Sequence, residues 1–241
     1  MLKLNQDKIE LIVFAPKHKV KSLTKLQFHF DGAILSESSR VRNLGVFFDQ
    51  TLSMEQHASA ITKSCFHQIR NIRRIRSYIT VDACKTLVCS LVMSRMDYGN
   101  ALMYGVNAPI VSKLQCVQNT AARLVTRKKK YEHITPTLVG LHWLPFKFRC
   151  QYKLLLYAFK ALHELAPSYL GELVHFYKPA WSLRSQSAAL IEMPKNELKY
   201  MVSGGLMWRP ASLRNEQSLS LEAFIKGLKT HLFNIAFVKW V

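Results

Sequence analysis

With 241 residues, 49% hydrophobic and 11% aromatic, the chain carries enough apolar material to bury a core and too much to be a disordered polymer. Its 34 lysines and arginines against 15 aspartates and glutamates give a formal charge of +19, which makes a polyanion the first partner to expect. Five cysteines, odd in number and with no CxxC pair, exclude a disulfide framework, and the absence of an apolar run of membrane length or a signal-like start predicts an intracellular protein, cytoplasmic or nuclear, with no membrane partner.

The first fifty residues read as strands. Ile9 to Phe14, Leu26 to Phe30 and Val41 to Phe48 are β-branched or aromatic runs, separated by the turn signals Ala15-Pro16 and Asp31-Gly32. From Ser53 the apolar period lengthens to three and four. Ser53 and Gln56 fit a capping box, and Ile61, Cys65, Ile69, Ile72, Ile75 and Ile79 predict one long amphipathic helix. Thr80 is the expected N-cap of a second helix, with Asp82 in its first turn and a stripe of Cys84, Leu87, Val88, Leu91 and Val92. Pro109 opens a third helix, whose stripe of Ile110, Leu114, Val117, Ala121 and Leu124 predicts core packing and which is expected to end in the basic run from Arg127.

Thr135-Pro136 reads as another N-cap and first-turn pair, followed by an aromatic corner at Leu141 to Pro145. Phe146 to Leu162 is apolar nearly all round and predicts a central, buried helix. A short helix after Pro167, a strand over Ala188 to Met193, a break at Gly204-Gly205 and a last amphipathic helix over Leu221 to Phe233 complete the pattern. The fold class expected is therefore α+β, mainly α: a small antiparallel β element at the N-terminus followed by a helical bundle. Three segments are expected, a β segment over 1–52, a helical domain over 53–175 and a C-terminal α+β segment over 176–241.

The charge is concentrated. Residues 51–130 hold 13 basic and 3 acidic residues, more than half of the net excess in one third of the chain. Lys63, Arg70, Arg73, Arg74 and Arg76 lie in one helix with no acid among them, so a row of cations able to track a phosphate backbone is the favoured reading over a merely solvated face. Arg127, Lys128, Lys129 and Lys130 form the densest cationic run, followed by Tyr131. A helix C-terminus attracts one or two cations through its dipole; four in succession look like a phosphate contact.

Catalytic patterns are not found. The five aspartates are scattered, and two-metal polynucleotide chemistry needs carboxylates converging on two cations. No GxSxG elbow occurs, no two histidines stand four apart, and no catalytic residue, metal site or cofactor is expected.

Several strings also have a family likeness. KLNQDKIELIVF (3 to 14), VRNLGVFFDQTLS (41 to 53), SRMDYGNALMYG (94 to 105), LQCVQNTAARLVTR (114 to 127), the long block from EHITPTLVGLHWLP to KALHELAPSYL (132 to 170) and LEAFIKGLKTHLF (221 to 233) resemble, in order, the C-terminal part of the reverse transcriptase of non-LTR, LINE-type retrotransposons. The resemblance implies that residues 1 to about 50 are the end of a polymerase palm, with Leu44, Gly45 and Val46 similar to a primer-grip hairpin, and that the helices from Ser53 to about Arg127 form a thumb. It places the family's Ala-Asp-Asp motif before Met1, so no catalytic aspartate is carried over to this chain. Gly99 stands where many relatives have cysteine, and Ile9 where threonine is usual.

The function expected is that of a truncated fragment of an RNA-directed DNA polymerase which binds RNA or an RNA/DNA hybrid but does not extend a primer, and whose further partner is the N-terminal polymerase portion. Two alternatives stand beside it: a non-enzymatic remnant without retained binding, and a subunit completed by a separate palm.

Overall fold

The computed structural model describes residues 8–20, 27–30, 33–173 and 220–237. The expected strand at Ala188 to Met193 and the break at Gly204-Gly205 lie outside them. Among the described residues the protein is α+β and mainly α, with its antiparallel β element near the N-terminus.

That element is two separate hairpins. β1 (Gln27–Phe30) pairs antiparallel with β2 (Ala33–Ser36), setting Phe28 opposite Leu35, and β3 (Arg40–Asn43) pairs with β4 (Val46–Asp49), setting Val41 opposite Phe48. The expected strand over Ile9 to Phe14 reduces to a single parallel bridge, Leu11 to Glu37. Beyond it the chain is held by isolated hydrogen bonds, Ser38 N–H to Leu11 O at 2.8 Å and Ala15 N–H to Gln50 O at 2.9 Å. Pro16 has no N–H to continue a ladder, and the short helix α1 (Lys17–Val20) turns the chain aside directly after it. The run Val41 to Phe48 is likewise not one strand: it folds back at Leu44-Gly45, both at positive φ (46° and 83°), as a two-residue connection between twisted antiparallel strands requires.

Helix α2 (Glu55–Ile75) begins without the expected capping box. Its N-cap is Met54, in the left-handed region at φ 60°, and Gln56 instead accepts a weak hydrogen bond from Arg40 at 3.4 Å. The Asp49 carboxylate does the capping. It accepts from the backbone N–H of Ser53 (3.2 Å) and Met54 (3.1 Å) and from the Thr51 hydroxyl (2.7 Å). One aspartate thus ends β4, starts α2 and fixes the angle between hairpin and helix. Burial alone would push the Asp49 carboxyl up, but the hydrogen bonds from Thr51, Ser53 and Met54 together outweigh it and hold the group below the ordinary carboxylate range.

A depressed folded-state pKa means stabilisation that is present above the unfolded-state value near 3.9 and lost as pH falls through the lower folded value. Replacing Asp49 with Ala is expected to cost about 0.5–2 kcal/mol at neutral pH. The penalty should vanish once the wild-type carboxyl is protonated; urea melts at neutral and acidic pH check this, and an equal penalty at both would refute the capping role.

After α2 the chain makes a tight turn, and Thr80 caps α3 (Val81–Val88) by accepting from Ala83 N–H at 3.2 Å, as expected. α3 runs through a π turn, Cys89–Met93, into α4 (Ser94–Asp97). The hydroxyls of Thr86, Ser90 and Ser94 each donate to the carbonyl four residues back, competing with the helix's own ladder, and Ser94 N–H reaches Cys89 O, five residues back. The extra residue in that turn brings Val92 and Met93 inward together, so the buried face is Cys84, Val88, Val92, Met93 and Met96, with Leu87 and Leu91 only half-buried. Cys65 of α2 donates its thiol to Val92 O at 3.7 Å; burial pushes that thiol up to about 11 although Arg95 pulls it down.

α5 (Ala108–Thr126) buries Ile110, Leu114, Val117, Ala121 and Leu124, the whole of the expected stripe. By compactness the chain falls into two units, Met1–Gly99 with Val106–Val117, and Asn100–Gly105 with Gln118–Val241. In the second unit α6 (Thr135–Gly140) takes Thr135 as its first helical residue rather than as a cap, because Ile134 already has helical angles and its carbonyl accepts from Leu138 N–H. The corner that follows buries Trp143, and Gln118 donates to Leu144 O at 2.8 Å.

Helix α7 (Phe146–Leu162) is less enclosed than expected: Phe146, Cys150, Phe159 and Ala161 are buried, while Leu154, Leu155 and Leu156 are half-buried and Tyr157 is exposed. Lys147, Lys153 and Lys160, interleaved with the apolar residues, give it a wet side. α8 (Ser168–Gly171) is the short helix anticipated after Pro167. α9 (Leu221–Phe237) runs four residues beyond the expected end and lays Phe224, Leu228 and Leu232 against Phe159 of α7.

Candidate nucleic-acid interface

An α-helix of 3.6 residues per turn places positions spaced 4, 3 and 4 on one line. In α2, Lys63, His67, Arg70 and Arg74 make such a line and all four are exposed. The buried line, Cys65, Ile69 and Ile72, runs on nearly the opposite side, and Arg73 is exposed on the flank. No aspartate or glutamate occurs between Glu55 and Asp82, so the row has no acidic neighbour along its own helix. In that row His67 Nε2 lies within hydrogen-bond distance of Asn71 Nδ2, 3.2 Å away.

Arg76 departs from the expected group. It stands four residues after Ile72 and seven after Ile69, hence on the buried line, and is 7% exposed. Its Nη1 donates to Ile79 O at 3.0 Å, closing the turn between α2 and α3. A guanidinium that spans its own turn and lies under the surface holds structure; it is not available to a phosphate.

The second expected group, Arg127, Lys128, Lys129 and Lys130, belongs to the second unit and lies past the helix rather than at its end. α5 stops at Thr126, Arg127 takes a left-handed backbone (φ 57°), and Lys128 N–H returns to Arg123 O at 3.2 Å. This is the helix-closing arrangement usually built on glycine, here carried by a residue with a Cβ. The loop beyond is tied at both sides of Glu132. Lys129 N–H donates to its carboxylate at 2.6 Å, Glu132 N–H donates to Lys129 O at 3.3 Å, and Arg123 Nη2 donates to Glu132 O at 3.3 Å. Arg127, Lys129 and Lys130 are exposed and Lys128 is half-buried.

Leu44, Gly45 and Val46 form the tip of the β3–β4 hairpin. Leu44 is 83% exposed and Val46 is buried. The Tyr98 hydroxyl donates to Leu44 O at 2.6 Å and fixes the turn, a contact between residues too far apart in sequence for spacing to reveal. A Cβ at Gly45 would meet Tyr98 only at ordinary contact distance, 3.7 Å, so the positive φ and not crowding calls for glycine there.

Among the described residues no three His, Cys, Asp or Glu side chains gather as a metal site, and no helix is long and apolar enough to cross a membrane. No protein-family model, curated protein or solved structure matches the chain.

Proposed function

We propose that this chain is part of a LINE-type reverse transcriptase and binds RNA or an RNA/DNA hybrid through the exposed cations of α2 and of the loop after α5. The observation that carries the reading is the α2 row: cations aligned along about three helical turns, opposite the buried face, with no acid within their stretch of chain. Backbone contacts of this kind position a strand without reading its sequence. The ordered likeness to the family supports the assignment to a polymerase; no polymerisation step is assigned to this chain's own residues.

A second reading, favoured by the exposed apolar side chains of Phe28, Phe30 and Ile34 on the first hairpin, is a subunit whose palm comes from another polypeptide. It requires primer extension to appear on mixing the two. Binding of the purified chain to a labelled RNA/DNA hybrid across a salt series tests the main proposal. Affinity should fall with a log-log slope of about −3 or steeper, corresponding to roughly four phosphate contacts. Absence of binding at low salt would overturn it, and extension of a primed RNA template by the chain alone would overturn the non-catalytic assignment.

A further inference from the structure

Each basic group is followed by a tyrosine that packs on almost nothing. Tyr78 stands four residues beyond Arg74 and is 87% exposed; Tyr131 directly follows Lys130 and is 80% exposed. Among the described residues no other aromatic side chain reaches either figure. Both sit on fixed backbone. The Tyr78 turn is closed by Tyr78 N–H to Ile75 O at 3.0 Å and by the buried Arg76 side chain, and the Tyr131 loop by the bonds to both sides of Glu132. Lys129 Nζ lies 5.8 Å from the centre of the Tyr131 ring, so a cation accompanies the aromatic face.

Folding gives no reason to hold a large ring in water on an ordered turn. A ring beside a row of cations fits one class of ligand well: a strand whose bases are unpaired and free to stack, since every base has a π-face whatever its sequence. A duplex presents phosphates to the cations but keeps its bases stacked on each other, leaving both tyrosines idle. Resting on the proposed nucleic-acid binding, we infer that Tyr78 and Tyr131 are base-stacking residues and that the preferred ligand is single-stranded nucleic acid.

The test compares a uridine homopolymer with an abasic sugar-phosphate oligomer of the same length, using the full chain and its Tyr78→Ala, Tyr131→Ala, Tyr78→Phe and Tyr131→Phe variants, each tyrosine being judged separately. An alanine variant should weaken binding to the base-bearing strand about tenfold while leaving abasic binding and the salt slope unchanged, and its phenylalanine counterpart should keep the parent affinity. Equal affinity of parent and alanine variant for the base-bearing strand, or the same loss on the abasic strand, overturns the inference while leaving phosphate binding intact. If the parent binds neither oligomer at low salt but binds an RNA/DNA hybrid, this inference fails and the proposed function stands; if it binds none of the three, both fail.

Discussion

Changing Lys63, Arg70, Arg73 and Arg74 together to glutamine will flatten the salt dependence of nucleic-acid binding by about 3 to 4 units of log-log slope. Each phosphate neutralised on a duplex releases about 0.9 of a condensed counterion, and each on a single strand about 0.7. Because that entropic gain grows as salt falls, the same change should weaken binding roughly a thousandfold near 0.1 M salt, with the gap narrowing toward 1 M. The fold should be indifferent, since the four side chains are exposed and glutamine is as good a helix former as lysine or arginine. Arg76→Gln is the opposing control. It leaves the slope alone and costs stability, about 1–3 kcal/mol for a buried hydrogen-bonded group left with an ill-fitting partner. Fluorescence anisotropy over a salt series, with urea melts of both variants, reads the two effects separately. A flattened slope in Arg76→Gln, or an unchanged one in the fourfold variant, would show that the face of α2 has been assigned wrongly.

The contrast between Arg76 and its neighbours shows which part of the site the sequence made legible. Periodicity predicts the buried line Cys65, Ile69, Ile72 and the stripe of α5, because both follow from helix geometry and hydrophobic burial, and both are found. The same arithmetic places Arg76 on the buried line. Residue type suggested the reverse, and geometry prevailed because the arginine can reach a turn carbonyl without leaving its phase. Ile75, expected in the core, is exposed for the matching reason: it falls about a quarter of a turn off that line, near the helix end.

What stayed illegible was mostly backbone. The capping box failed because Asp49, four and five residues upstream of the amides it accepts from, took over the role once Met54 adopted a left-handed conformation. No local pattern announces that. The π turn at Cys89–Met93 depends on three hydroxyls bonding backward along one helix, a signal visible in the Thr86, Ser90, Ser94 spacing only after the helix itself is known. The turn at Leu44-Gly45 was missed by reading Val41 to Phe48 as one strand and was suggested only by the primer-grip likeness; the positive φ of Leu44 goes with the pairing of β3 with β4 and is secured by Tyr98 from another part of the chain.

The same logic governs the second large effect, Phe159→Ala, expected to destabilise the protein by about 3–5 kcal/mol. Phe159 and Phe224 stack with ring centroids 3.9 Å apart and planes 17° from parallel, in a cluster completed by Leu228 and Leu232. Truncating either ring leaves a cavity that the helices cannot close without moving Leu155, Leu156 and Leu221, which pack around it. Since a domain's whole stability is about 5–15 kcal/mol, this loss is a large share of it. Phe224→Ala should cost a similar amount, and the double variant about 0.5–1.5 kcal/mol less than the sum, because the stacking term can be lost only once. Urea melts followed by circular dichroism give all three values. Strict additivity, or a single-variant loss below about 1 kcal/mol, would mean that α9 is not held to α7 by this pair. If the coupling is found, the docking of the C-terminal helix rests on ring-to-ring contact between residues more than sixty positions apart in the chain, and no reading of either helix by its own periodicity could have paired them.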